Sequence, residues 1–308
     1  MVKPEPMESL SLETRNEVPV PSIAPAAAAA SAPQPMTEQE LETYRLHRRF
    51  DRMGRLIGDP AMKKLMNSHV MVIGLGGVGS WAAEALARSG IGELTLVDFD
   101  EICITNTNRQ LHALAGLVGQ NKAEVLAERM RKINPQAKFN AEVKFYSKKT
   151  ADELFARKPD YVIDAIDNVT AKCNLIAYCR AHQIPIVVST GSGGRMDPTQ
   201  IRVADLAETE IDPLARVCRR ILRQEYGFPT EGKFGVPAVF TFEPASMPYE
   251  LAYDGGKGFR CVCPQGDNNL NTCDAKNIIM GNAPFATGAF GLACASHVVR
   301  DLIQGLHA

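Results

Sequence analysis

The run Gly74-Leu75-Gly76-Gly77-Val78-Gly79-Ser80 fits the spacing G-x-G-x-x-G between an apolar, strand-like run and a helical one. Glycines are needed in such a loop because the chain turns tightly and its backbone must come close to phosphate, with N–H groups at a helix N-terminus facing the anion. Asp98 follows Gly79 by 19 residues, at the end of the next strand-like run, which places a carboxylate to accept ribose hydroxyls. Loop and acid together predict a nucleotide site, and by themselves they suit NAD as well as ATP.

The residues that follow separate the two. Asp100, then Asn106, Asn108, Arg109 and Gln110, then Lys122, then Asp167 and Asn168 form an ordered set downstream of the loop. A dehydrogenase has no use for extra cations beside the phosphates. Arg109 and Lys122 are permanent cations suited to a triphosphate and to charge on its α-phosphorus, and Asp167 can hold magnesium through oxygen. Taken singly, Arg109 and Lys122 read as solvated charges and Asp167 as a helix N-cap.

Elements to position these groups are legible from Val70. Strands are expected at Val70–Ile73, Glu93–Val97, Lys138–Phe145, Tyr161–Ala165 and Ile186–Ser189, alternating with helices at Val78–Ser89, Gln120–Ile133, Thr150–Arg157 and Ala171–His182. Short Val- and Ile-rich runs between helices indicate a parallel sheet with crossover helices. The fold class is therefore α/β, a Rossmann-like, doubly wound, mostly parallel sheet. Gln200–Ala204 and Val236–Phe242 read as strands around a helix at Pro213–Tyr226, a C-terminal extension of the same sheet, closed by a helix near 284–304. The expected organisation is a disordered Pro/Ala-rich tail over 1–36 and one domain over 37–308, with the nucleotide core at about 68–190 and a substrate and dimer extension at about 191–308. Thr37 and Glu40 form a T-x-x-E capping box opening an arginine-rich helical segment with Arg45, Arg48, Arg49, Arg52 and Arg55.

Composition narrows the function further. A net charge of −1 gives no global field for nucleic acid, so RNA contact must come from local patches. The scattered cysteines (103, 173, 179, 218, 261, 263, 273 and 294) lack the spacing of a disulfide framework and suit reduced, buried thiols in the cytoplasm. Acids ahead of the Ala26–Ala30 run argue against a secretion or transit signal. Asn277–Val299 is 23 residues long without an acid, Lys or Arg, enough to cross a bilayer, but its glycines, Pro284 and asparagines favour a buried helix or a subunit interface.

In order, G-L-G-G-V-G-S, V-D-F-D, N-x-x-R-Q, G-Q-N-K and D-A-I-D-N resemble the adenylation core of the E1-like superfamily, over about residues 48–190. That resemblance implies Gly77, Asn106 and Arg109 at the phosphates, Asp98 on the ribose, Lys122 on the nucleotide and Asp167 on magnesium. It also implies a homodimer in which Arg52 reaches the neighbouring subunit's ATP site, with Arg55 as a competing candidate. Sulfur-carrier activators in this superfamily often hold zinc with two Cys-x-x-Cys pairs. Here Cys261, Cys263 and Cys273 offer no such pair, which argues against zinc. Cys218, among Arg216, Arg219 and Arg220, reads as an ordinary helix cysteine rather than a thioester nucleophile.

Longer runs resemble the tRNA threonylcarbamoyladenosine dehydratases: Gly79–Arg88, Thr105–Gln110, Asp197–Ile201, Asp205–Ala207 and Asp212–Leu214. The implied activity is ATP-dependent cyclisation of threonylcarbamoyladenosine in tRNA through an acyl-adenylate, releasing AMP and pyrophosphate. The alternative is adenylation of the C-terminus of a sulfur-carrier or ubiquitin-like protein. On the first reading Arg216, Arg219, Arg220 and Arg223 form an RNA phosphate patch, against the plain alternative of a solvated helix face. A bound monovalent cation and a cysteine-desulfurase or sulfur-acceptor partner are left open.

Overall fold

The computed structural model describes residues 37–38, 48–252 and 280–306. The chain divides into two units, Met1–Tyr44 and Arg45–Ala308. Of the first, Thr37 and Glu38 alone are described, so the expected tail, Glu40 and Arg45 lie outside the described residues, as do Cys261, Cys263 and Cys273.

The second unit opens with two short helices, α1 (Asp51–Ile57) and α2 (Asp59–Met66), broken at Gly58 by a φ of +80° that L side chains rarely adopt. Then follow β1 (His69–Ile73), α3 (Gly79–Arg88), β2 (Glu93–Val97), α4 (Lys122–Ile133), β3 (Lys138–Glu142), α5 (Ala151–Phe155), β4 (Tyr161–Asp164), α6 (Val169–Ala181), β5 (Ile186–Ser189), β6 (Ile201–Asp205), α7 (Pro213–Glu225), β7 (Pro237–Thr241) and α8 (Pro284–Leu302). The seven strands lie in the order β3-β2-β1-β4-β5-β7-β6. All neighbours are parallel except β6 and β7, which pair antiparallel. The doubly wound fold and its C-terminal extension are therefore as the alternation predicted.

Strands β1, β4 and β5 are buried along their whole length, as a sheet covered on both faces demands. One core joins α2, α3, α4 and α8 to one face, and a second joins α5, α6 and α7 to the other. Helix α8 lies close against α3. A Cβ on Gly291 would overlap the Val78 carbonyl, and one on Gly288 would stand 3.3 Å from the Trp81 ring. The part of the uncharged run from Pro284 onward thus supplies small residues for helix packing. No helix among the described residues is long and apolar enough to cross a membrane.

Several boundaries move for local reasons. The expected strand at Lys138–Phe145 stops at Glu142, where the Lys144 N–H turns back to the Glu142 carbonyl. Helix α4 starts at Lys122 because Asn121 is extended and bridges to Glu101. Helix α6 starts two residues earlier than expected because Asn168 caps it. The strand order reverses between β1 and β4, so the loops leaving their C-terminal ends open a crevice where α/β sheets take ligands.

Candidate active site

The glycine loop leaves β1 into that crevice. Gly74 has φ +87°, and a Cβ there would meet the Ala165 carbonyl at 2.7 Å; a Cβ on Gly79 would overlap the Gly74 carbonyl. Those two glycines let the turn fold onto itself and onto the loop after β4. Gly77 lies between side chains instead: its Cβ would stand 3.2 Å from both Arg109 Cγ and Thr287. Helix α3 begins at this loop with no side-chain cap and no acid in its first turn. The Ser80 N–H is taken by the Gly76 carbonyl at 3.1 Å, and the positive dipole end of the helix is available to an anion.

Asp98 holds the loop from the end of β2. Its Oδ2 accepts the Leu75 N–H at 2.6 Å and its Oδ1 accepts the Asp100 N–H at 2.8 Å. Burial pushes this carboxyl above its ordinary value against the pull of Lys122. Lys122, buried at the first position of α4, donates to Asp100 Oδ2 at 2.8 Å. Burial works against the ammonium, but Asp98 and Asp100 outweigh it and hold its pKa above the usual lysine value. A fixed cation therefore stands next to the loop.

The segment between β2 and α4 crosses the start of α3. Trp81 Nε1 donates to the Arg109 carbonyl at 3.0 Å, and the Leu111 N–H reaches Ser80 Oγ at 3.4 Å. Arg109 Nη1 donates to the Thr105 carbonyl at 2.9 Å and to Asn108 Oδ1 at 3.0 Å. Burial lowers its pKa, opposed by Cys103 and Asp167, and a guanidinium so shifted remains charged. The buried Asn106 accepts the Cys103 N–H, closing the short turn at Ile104–Asn106.

Two residues expected at the nucleotide also make structural bonds. Asn108 accepts from Arg109 and donates its Nδ2 to the Asn282 carbonyl at 2.9 Å, tying this segment to the start of α8. Asn168 is the N-cap of α6, accepting the Ala171 N–H at 3.0 Å. The cap is thus Asn168 and not Asp167. Asp167 is exposed, with no hydrogen-bond partner among the described residues and close enough to Arg109 to bias its charge. Its turn is anchored from beneath by a pair that motif reading missed. Asp164 accepts the Ile166 N–H at 3.0 Å and lies 2.8 Å from Lys172, which also donates to the Ser189 carbonyl. Both side chains of this pair are fully buried.

A free carboxylate at the crevice suits magnesium, which keeps several waters and takes most of its oxygens from phosphate. Among the described residues no three His, Cys, Asp or Glu side chains gather as a metal cluster, so any such ion would rest on Asp167 and the nucleotide. Gln110 and His112 are further buried members of the site, and the bond between their side chains was not legible in the sequence.

The four arginines of α7 divide into two kinds. Arg216 and Arg220 are exposed. Arg219 donates to the Thr209 carbonyl at 2.8 Å, and Arg223 donates to the Pro229 carbonyl at 3.1 Å and covers the Phe234 ring. All four line one open surface hollow. The start of α7 is held to the loop after β5 by Asp212, which accepts from Gly191 at 3.2 Å and from Arg195 at 3.1 Å. Cys218 is fully buried, out of reach of a substrate. Arg52 is exposed on α1, where no group of the site is its hydrogen-bond partner, while Arg55 pairs with Asp51 at 3.0 Å.

Residues 50–306 match the model of the ThiF family. The tRNA threonylcarbamoyladenosine dehydratase of Escherichia coli is 42% identical over 257 residues, covering 83% of this chain and 93% of that one. The crystal structure of the E. coli enzyme in complex with ATP has 42% identity and a TM-score of 0.71, covering 83% of this chain and 94% of that chain. The molybdopterin-synthase adenylyltransferase of Escherichia coli is 35% identical over 133 residues, covering only 43% of this chain and 52% of that one.

Proposed function

The chain belongs to the ThiF family, and from that membership we propose that it is an ATP-dependent tRNA threonylcarbamoyladenosine dehydratase. The observation that carries the reading is the extent of the match. Similarity to the dehydratase covers 83% of this chain, well past the nucleotide core into β6, α7 and β7, whereas similarity to the carrier-protein activator covers 43%.

The reaction is adenylation followed by ring closure. The threonyl carboxylate attacks the α-phosphorus of ATP, pyrophosphate leaves, and the carbamoyl group then attacks the activated carbonyl and expels AMP. The oxygen lost from the nucleoside departs on AMP, so the nucleoside loses one water. This chemistry needs positioning and charge neutralisation rather than a side-chain nucleophile.

The residues present fit those needs. The α3 N-terminus and the glycine loop receive phosphate, Asp98 receives the ribose, and Lys122 and Arg109 carry positive charge to the α-phosphorus. Magnesium, held by Asp167, would neutralise the phosphate oxygens. Arg52, exposed on α1, is assigned to the ATP site of a second copy in a homodimer. Arg216 and Arg220 are assigned to tRNA phosphates, with Arg219 and Arg223 shaping the hollow they border. The cytoplasm, where tRNA is modified, is the proposed location.

AMP release tests the reading. AMP should form with ATP, magnesium and tRNA bearing the linear modification, and not with a small carrier protein ending in glycine. AMP release or pyrophosphate exchange that requires the carrier protein would overturn it.

A further inference from the structure

His112 is 1% exposed, yet it lies two residues from Gln110 and close enough to Lys122 to feel its charge. Its Nε2 is 3.0 Å from Gln110 Oε1, and its Nδ1 is buried without a hydrogen-bond partner. That orphan decides the tautomer. Were the proton on Nδ1, a buried N–H donor would go unsatisfied, which proteins rarely tolerate; with the proton on Nε2, the orphan is only a lone pair. Nε2–H therefore donates to Gln110 Oε1, and the acceptor face of that amide is fixed toward the imidazole. Burial, with Lys122 adding to it, lowers the imidazole to about 3, so it stays neutral.

The other end of the amide points the opposite way. A Cβ on Gly76 would stand 3.9 Å from Gln110 Nε2, so the amide NH2 borders the phosphate loop. Gln110 is itself 7% exposed, and its backbone N–H is bonded to the Asn106 carbonyl at 2.9 Å. An amide free to flip would present its carbonyl to phosphate half the time. We infer that His112 is a positioning residue that locks the Gln110 amide with its NH2 toward the phosphate loop, so that Gln110 donates to the ATP phosphates.

This inference rests on the nucleotide reading of the site but not on the tRNA substrate. Its test is therefore ATP binding alone, by calorimetry with magnesium and without tRNA, on the full chain. Gln110→Ala and His112→Leu should each weaken ATP about tenfold, the scale of one hydrogen bond to a charged group. The double variant should be no weaker than Gln110→Ala, because His112 acts through Gln110. His112→Gln, which keeps a donor near the Nε2 position, should stay within about twofold of the wild type by the same reasoning. In turnover, KM for ATP should rise in His112→Leu while kcat at saturating ATP holds. Losses that multiply in the double variant, or a tenfold loss in His112→Gln, would overturn the inference. If His112→Leu does not fold, the His112→Gln result decides.

Discussion

Lys122 Nζ stands 2.8 Å from Asp100 Oδ2, with the lysine side chain 7% exposed and the aspartate 40%. Since Asp98 lies near the same ammonium, one buried cation serves two acids. Pairing of this kind holds a lysine charged and aimed beside the phosphate loop. Lys122→Met should lower kcat/KM by about a hundredfold or more, as loss of a charge-stabilising donor does. Lys122→Arg should fail to restore it, since a guanidinium does not fit a pocket shaped for a point charge. Steady-state kinetics in ATP check both.

The buried imidazole makes a second measurement possible. His112 is lowered to about 3 from 6.5, so between those values the unfolded chain binds the proton and the folded chain does not. Stability from this group is present above pH 6.5 and is lost as pH falls toward 3, at up to about 1.4 kcal/mol per pH unit. Urea unfolding at pH 7.5 and pH 5 should show a smaller loss in His112→Gln than in the wild type. Equal losses would place the imidazole in contact with solvent.

Glycines of one loop should part company on substitution. At Gly79 an added Cβ overlaps the Gly74 carbonyl, and backbone cannot yield cheaply. Gly79→Ala should cost about 3 kcal/mol or more of stability. At Gly77 the neighbours are Arg109 Cγ and Thr287 at 3.2 Å, side chains that can shift by a few tenths of an ångström. Gly77→Ala should keep its melting temperature within a few degrees while ATP affinity falls, because Arg109 is displaced. Thermal melts with and without ATP separate the two.

Arginines on α7 offer a contrast in salt dependence. Arg216→Ala and Arg220→Ala should each reduce the slope of log binding constant against log salt for tRNA by about 0.7 to 0.9, one phosphate contact apiece. Arg219→Ala should lower stability by about 1 kcal/mol through the Thr209 carbonyl it leaves. Its salt slope should hardly change. Filter binding over a salt series, with urea melts alongside, tests the division.

Some of this was legible in the sequence and some was not, for physical reasons. The glycine loop, Asp98 and the strand alternation are local patterns whose spacing is imposed by backbone geometry, so they read directly. Asn108 and Asn168 did not, because an amide's role is set by what faces it. Asn108 bonds to the Asn282 carbonyl, 174 residues away, and Asn168 caps α6. The alternative reading of Asp167 as a cap belongs to its neighbour, Asn168. Asp164 and Gln110 fall inside the D-A-I-D-N and N-x-x-R-Q runs, but their partners Lys172 and His112 do not, since these pairings are made by strands and helices brought together only on folding. The division on α7 was not made from the sequence, where all four arginines read as one patch: Ala215, Cys218 and Leu222 form the buried face, and Arg219 and Arg223 bond to backbone carbonyls beside it.

The most direct test is mass spectrometry of nucleosides from tRNA bearing linear threonylcarbamoyladenosine, after incubation with the protein, ATP and magnesium. The modified nucleoside should lose the mass of one water, with one AMP and one pyrophosphate formed per event, and Asp167→Asn and Lys122→Met should abolish the change. An unchanged nucleoside mass, with a well-folded protein that binds ATP, would contradict the assignment.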